Sequence, residues 1–340
     1  MSISAKLNYI SLVKNIPLSV TFEVTRRCNL NCVHCYLCET HGLKKIRIDK
    51  ELSLKEILDI FRQLKKSRTI FLNITGGEPL LRNDIEDIIF YAIKLNFSVK
   101  LFSSLYGEFQ KRLNNLYKKG LREIDVSLYG RKKTHNFITG RNSFDVIIAN
   151  IIAAKNMGFK ITIKTPVMNI NLKEISWVYR FANENRFGFK IDPTITPLND
   201  GNRMNEKYQI NSETDFKAIS TFENFSISQD ESFNNIEYFA CGAGRNVLGI
   251  NSYGDVYPCL AFPEKIGNLK NEKLIEILNS KKIKKIRKTL SIEPEKCLLC
   301  NYKNYCSRCP AIAYLYGDVF QIYKTACDLA KLSAKKSNFC

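Results

Sequence analysis

The sequence predicts an α/β fold: a partial (β/α)6 TIM-like barrel followed by a small cysteine-rich α+β domain. Two observations carry this. From Leu18 to about Phe225 the apolar pattern switches repeatedly between the two-residue period of a strand and the 3.6-residue period of a helix. The twelve cysteines fall into two groups, four between Cys28 and Cys38 and eight from Cys241 to Cys340, with none between. The chain therefore divides into an N-terminal extension (1–16), a barrel (17–225) and a cysteine-rich domain (226–340). At 340 residues it is long enough for two cores.

The elements follow in order. LSVTFEV reads as a strand and runs into the first cysteine loop. SLKEILDIFRQLKKS is a helix with Ser53 as N-cap and Glu56 closing a capping box; Leu54, Ile57, Leu58, Phe61 and Leu64 form its apolar stripe. TIFLNI is a strand ending at Thr75-Gly76-Gly77-Glu78-Pro79. NDIEDIIFYAIKLN is a helix, FSVKLFSS a strand, EFQKRLNNLYKKG a helix ending on Gly120 and REIDVSLYG a strand. SFDVIIANIIAAKNMG is a helix ending on Gly158, KITIKTPV a strand, NLKEISWVYRFANEN a helix and RFGFKIDPTI a strand. SETDFKAISTFENF supplies a last helix, after a polar loop from Leu198 to Gln209.

Six strands alternating with helices are the signature of right-handed βαβ units around a parallel sheet. A closed eightfold barrel needs two more units, so this one is expected to be open. Such sheets carry functional residues at the C-terminal ends of their strands, where both the Cys28 loop and the Gly76-Gly77 loop fall.

Composition excludes several classes. No apolar run approaches the roughly 20 residues that span a bilayer, and the first residues lack a signal-peptide pattern, so a cytoplasmic location is expected. Cysteines clustered in a reducing compartment point to metal or redox chemistry rather than disulfides. The formal charge of +19 would suit nucleic acid, but the lysines are scattered along the chain. The densest run, Lys281 to Lys288, keeps isoleucines at helical spacing and reads as the solvated face of a helix. Nucleic acid is therefore not the expected partner; the charge could help attract an acidic peptide.

Cys28, Cys32 and Cys35 are spaced C-x3-C-x2-C on a loop after a strand. Three thiolates this close can bind three corners of a 4Fe–4S cube and leave one iron open to chelate a small molecule. Zinc is the competing reading, with Cys38 as the fourth ligand that a structural site wants.

CNLNCVHCY, followed one β-α unit later by TGGEP, resembles the radical S-adenosylmethionine superfamily. The resemblance implies that Cys28, Cys32 and Cys35 are the cluster ligands, with His34 in the aromatic position beside adenine. In that family the open iron holds the methionyl group. One-electron reduction of the sulfonium then gives a 5′-deoxyadenosyl radical that abstracts hydrogen from the substrate. Gly76, Gly77 and Glu78 match the motif that receives the methionyl ammonium, and a carboxylate suits an ammonium. Ser127 matches a position that contacts the ribose; Ser103 and Ser104 are weaker matches.

The second group reads Cys241, Gly254-x4-Cys259, Cys297-x2-Cys300-x5-Cys306-x2-Cys309 and Cys327. This resembles the seven-cysteine SPASM extension of radical enzymes, making the C-terminal unit an iron–sulfur domain. The alternative, a zinc ribbon built on the two CxxC pairs, leaves Cys241, Cys259 and Cys327 unexplained. By position, Cys297, Cys300, Cys306 and Cys327 would hold an outer auxiliary cluster, and Cys241, Cys259 and Cys309 an inner one. Some relatives have a further cysteine where this chain has Asn246-Val247-Leu248, so the inner cluster is expected either to keep an open iron or to take its fourth ligand elsewhere.

Three 4Fe–4S clusters, S-adenosyl-L-methionine and a flavodoxin- or ferredoxin-type electron donor are what the resemblance implies. Leu260, where sulfatase maturases usually place Asp, argues against that activity. HNFITGRNSF and IDPTITPLNDG look like the peptide-maturase branch, so the expected substrate is a ribosomally made precursor peptide. Only about seventeen residues precede the first strand, too few for a leader-binding domain, so a separate leader-binding protein is expected. A tetrapyrrole- or small-molecule-modifying enzyme and a non-catalytic metal-binding scaffold are the rival readings. Cys38 is expected to be a packed thiol, His135 to make a local structural hydrogen bond, and Trp177 to lie in the core.

Overall fold

The computed structural model describes residues 2–212, 214–215 and 241–337. Most of the last predicted helix, the expected domain boundary at 225/226 and Cys340 lie outside them. The extension is a helix, α1 (Ile3–Val13), capped by Ser2. Six strands follow: β1 (Ser19–Thr25), β2 (Phe71–Gly76), β3 (Ser98–Ser103), β4 (Glu123–Ser127), β5 (Lys160–Pro166) and β6 (Gly188–Asp192). Between them run α2 (Leu54–Lys66), α3 (Ile85–Lys94), α4 (Gln110–Lys118), α5 (Lys132–Thr139), α6 (Phe144–Asn156) and α7 (Ile175–Glu184). Ser53 and Glu56 form the predicted capping box of α2. The pattern HNFITG lies largely within α5 and is closed by Gly140 at φ +65°.

β1 to β6 pair side by side, all parallel, in chain order. The sheet does not stop at β1. β7 (Val247–Ile250) pairs in parallel with β1, placing Val20 opposite Leu248, and β8 (Asp255–Tyr257) and β9 (Gly267–Asn268) continue it antiparallel. The cysteine-rich unit thus shares the barrel's own sheet. A parallel pairing between strands this far apart in sequence leaves no local signal, so the pattern of residues did not show it.

The core crosses the seam accordingly: Val20 and Phe22 belong to one buried cluster with Leu248, Ile250, Val256, Ile277 and Ile283. α8 (Leu274–Asn279) and α9 (Lys281–Thr289) cover it, and α9 turns Ile283 and Ile286 inward with its lysines outward, as the periodicity predicts. α10 (Glu295–Leu298), α11 (Pro310–Leu315) and α12 (Lys324–Ser337) complete the domain. α1 clamps the join, Asn8 Oδ1 accepting from Asn246 Nδ2 at 2.7 Å.

The strands alternate rather than running continuously apolar. Ile124 and Val126 of β4 are buried among helices, whereas Asp125 takes ion pairs from Lys164 at 3.0 Å and Lys100 at 3.7 Å. The inner face of the barrel is therefore polar, and the candidate site lies at its C-terminal rim. Among the described residues no helix is long and apolar enough to cross a membrane.

Candidate active site and cysteine clusters

The first cysteine loop leaves β1 beside the loop that leaves β2, Thr25 lying in register with Gly76. Glu51 braces its start, accepting from the Thr25 hydroxyl and from the Arg26 N–H, both at 2.7 Å. Behind it Arg26 pairs with Glu23 at 2.9 Å, and the Tyr36 phenol donates to the same carboxylate. Burial raises the Glu23 pKa against the pull of Arg26. None of this network is marked by a motif, since its members are ordinary charged residues brought together only by the fold.

Within the loop, Leu30 N–H donates to Cys28 Sγ at 3.5 Å, Cys35 N–H closes a turn on Cys32 O at 3.1 Å, and the Thr40 hydroxyl lies 3.3 Å from Cys35 Sγ. Burial pushes the Cys28 thiol up to about 12 and raises Cys32 and Cys35; the charges of Cys35 and Cys28 add to the rise at Cys32. Burial thus disfavours the bare thiolate at all three positions, and soft sulfur suits iron. Cys38 stands apart: it is 1% exposed, its thiol faces Glu39 Oε2 at 3.4 Å, and burial raises it to about 11.

His34 and Tyr129 meet edge to face, their ring centroids 4.9 Å apart. The Tyr129 phenol interacts with both the Ser127 hydroxyl and the Cys32 thiol. His135, fully buried in α5, stacks on Tyr129 and accepts its backbone N–H at Nδ1, 3.3 Å away. Tyr129 is a site residue that the sequence reading missed; its signal was an aromatic two residues past Ser127 at a strand end. Trp177 is half-buried, stacked on Phe181.

The Gly-Gly-Glu loop locks onto the cysteine loop. Gly77 N–H donates to Thr25 O at 2.9 Å and Glu78 N–H to Arg27 O at 2.7 Å. A Cβ at Gly76 would lie 2.2 Å from Thr25 O, and one at Gly77 2.3 Å from Arg27 O, so both glycines are needed for this backbone-on-backbone contact. Glu78 is fully buried. Its Oε1 accepts from the Ser103 hydroxyl at 2.8 Å and Leu80 N–H at 3.1 Å, and its Oε2 from Ser104 N–H at 2.8 Å and the Ser104 hydroxyl at 2.6 Å. The carboxylate expected to meet an ammonium is here engaged by four donors of the chain itself, and three of them come from Ser103 and Ser104, the serines read as weaker ligand candidates.

In the C-terminal domain, Cys259 is raised by burial and then by the charges of Cys309 and Cys241. Cys327, on α12, is raised by burial and then by Cys306, Cys297 and Cys300. Charge thus links Cys259 to Cys309 and Cys241, and Cys327 to Cys306, Cys297 and Cys300. Asn246 is 5% exposed and turned to Asn8 and Ser11 of α1, so it adds no side chain to the first group. Among the described residues, no three His, Cys, Asp or Glu side chains are already closed around the position of a single metal ion.

Comparison with known proteins adds relatives to this geometry. Residues 22–182 match the Radical SAM superfamily and residues 241–310 the SPASM iron–sulfur cluster-binding domain. The chain is 27% identical to the AdoMet-dependent heme synthase of Methanosarcina barkeri, over 88% of this chain and 93% of that protein. It is 26% identical to the mycofactocin maturase MftC of Mycolicibacterium smegmatis, over 72% of this chain but only 64% of that protein. In fold it is similar to Streptococcus suis SuiB bound to precursor peptide SuiA, with a TM-score of 0.66 at 20% identity over 95% of this chain and 78% of that one.

Proposed function

The chain belongs to the radical SAM superfamily and carries a C-terminal SPASM domain, and from that premise we propose that it abstracts hydrogen from a ribosomally made precursor peptide. The observation that supports the reading is that the loop bearing Cys28, Cys32 and Cys35 leaves the C-terminal end of β1 hydrogen-bonded to the Gly-Gly-Glu loop. Three soft donors fit a 4Fe–4S cluster with one open iron. When bound, cluster and S-adenosyl-L-methionine together supply a one-electron reductive cleavage that generates an alkyl radical.

The chain's own residues have other tasks. His34 and Tyr129 wall the ligand pocket, Ser127 orients Tyr129, and Glu78 fixes the rim by joining two strand ends. Cys241, Cys259 and Cys309, with Cys297, Cys300, Cys306 and Cys327, hold two auxiliary clusters. A peptide substrate is supported by the maturase relative and by the structural neighbour solved with a precursor peptide.

A tetrapyrrole substrate is the second reading, and the heme synthase match over 88% of the chain favours it. One experiment separates the two. The reconstituted enzyme should carry about twelve irons per chain and release 5′-deoxyadenosine with reductant. Incubation with peptides encoded beside its gene, and separately with iron coproporphyrin, should change the mass of a peptide only. A mass change confined to the porphyrin replaces the peptide reading, and no 5′-deoxyadenosine with any reductant rejects both.

A further inference from the structure

At the opposite end of the barrel from the cysteine loop, below the N-terminal ends of β1 and β7, lies a cavity of about 1010 Å³. It opens between the segment that precedes β1, helix α2 and the covering helices α8 and α9 of the second domain. The mechanism makes no use of it.

Its lining is strongly one-signed. Lys14, Lys66, Arg68, Arg245, Lys273, Lys284 and Arg287 contribute seven cations. Among the described residues the side chains of Lys14, Lys66, Arg68, Lys273, Lys284 and Arg287 form no ion pair with a carboxylate. Asp59, the acidic residue of the lining, accepts instead from Gln63 Nε2 at 2.8 Å. Arg287 is half-buried. Its Nε donates to Gly244 O at 2.6 Å and its Nη1 to Leu278 O at 3.1 Å, which leaves Nη2 buried without an acceptor. Burial, and then the like charge of Arg245, lower its pKa to about 10. A half-buried guanidinium whose Nε and Nη1 meet neutral carbonyls and whose Nη2 has no acceptor suits an anion.

The cavity is also partly apolar. Leu274, Leu278 and Ile16 line it, and Ile275 stands 58% exposed. A bare phosphate would fill a small part of this volume and leave the apolar floor wet. A polypeptide segment that mixes acidic and aliphatic side chains satisfies both surfaces.

We propose that this cavity is a docking site for an acidic, partly aliphatic peptide segment of a partner polypeptide, remote from the cysteine loop. Carboxylates would meet Arg287 and the lysine rim, and aliphatic side chains would cover Ile275. The proposal is independent of which substrate reacts at the strand C-termini.

The test uses the full cluster-loaded chain and a fluorescent probe, a peptide of about twelve residues alternating Glu and Leu, read by anisotropy. The combined variant Lys66→Glu, Arg68→Glu, Lys284→Glu should bind it about tenfold or more weakly. A control of equal charge change, Lys111→Glu, Lys118→Glu, Lys133→Glu on α4 and α5, should bind within about twofold of the unmodified chain. Both should release 5′-deoxyadenosine at the unmodified rate. Photocrosslinking of the probe to the unmodified chain should label residues 59–68 or 273–287. Equal weakening in the two variants, no weakening in the first, or labels elsewhere overturns the proposal. Displacement of the probe by submillimolar inorganic phosphate overturns it too, in favour of a phosphate site.

Discussion

Ser104 donates both its backbone N–H, at 2.8 Å, and its hydroxyl, at 2.6 Å, to the same Glu78 carboxylate oxygen. The end of β3 is thereby tied to the loop after β2, and through Arg27 O to the cysteine loop itself. Glu78→Gln keeps the shape but turns an amide NH2 toward groups that themselves donate. The expected cost is about 2–4 kcal/mol in the stability of the cluster-free chain, measured by denaturant unfolding, and about 1–2 kcal/mol for Ser104→Ala. A neutral Glu78→Gln would show that the four hydrogen bonds do not hold the rim.

Tyr129→Phe removes the phenol that interacts with Ser127 and Cys32 while leaving the ring against His34 and His135. A polar phenol beside a ligating sulfur stabilises the reduced cluster, so its loss should lower the midpoint potential of the first cluster. Iron content should stay unchanged. Potentiometric titration followed by electron paramagnetic resonance decides the matter, and an unshifted potential would remove Tyr129 from the role given to it.

The seam between the two domains offers a third check. Leu248 is fully buried opposite Val20, with Phe22 and Ile250 paired next along the strands. Leu248→Asp should destabilise the whole chain by about 4 kcal/mol or more, since it buries an unpaired carboxylate in a core shared by both units. Barrel and C-terminal domain should then melt in one transition. Two separated transitions, with the barrel unaffected, would contradict a common sheet.

Arg82 grips Asp84 with two hydrogen bonds, at 2.7 and 2.8 Å, while donating to Val24 O and Leu52 O at 2.8 and 2.9 Å. The hydrogen bond from Arg82 holds the Asp84 carboxyl below its ordinary value of 3.8. A carboxyl whose pKa is lower in the folded than in the unfolded chain adds stability above the unfolded value and loses it as pH falls through the folded one. Asp84→Asn should therefore cost about 1–2 kcal/mol at neutral pH. The difference from the unmodified chain should shrink as the pH is taken below 3.8. A cost independent of pH would assign the effect to packing.

Much of the fold was legible because its signals are local. Capping at Ser53, the alternation of β4 and the stripe of α9 each arise from neighbours within one or two turns, where period and propensity act directly. The spacing of Cys28, Cys32 and Cys35 is local for a related reason: a thiol three or four positions from another can hardly avoid sharing its surroundings. Cys327 and Cys241 were reached only through resemblance, their partners lying far along the chain.

What the residues alone determined was the kind of chemistry and the order of elements: thiols in groups, on loops after parallel strands. The tertiary structure alone decided which atoms remain available. It spent the Glu78 carboxylate on Ser103 and Ser104, set Tyr129 against Cys32, and ran the barrel's sheet on into the second domain through β7. Each of these depends on contacts between segments distant in sequence, where hydrogen-bond satisfaction and burial, rather than local preference, select the arrangement.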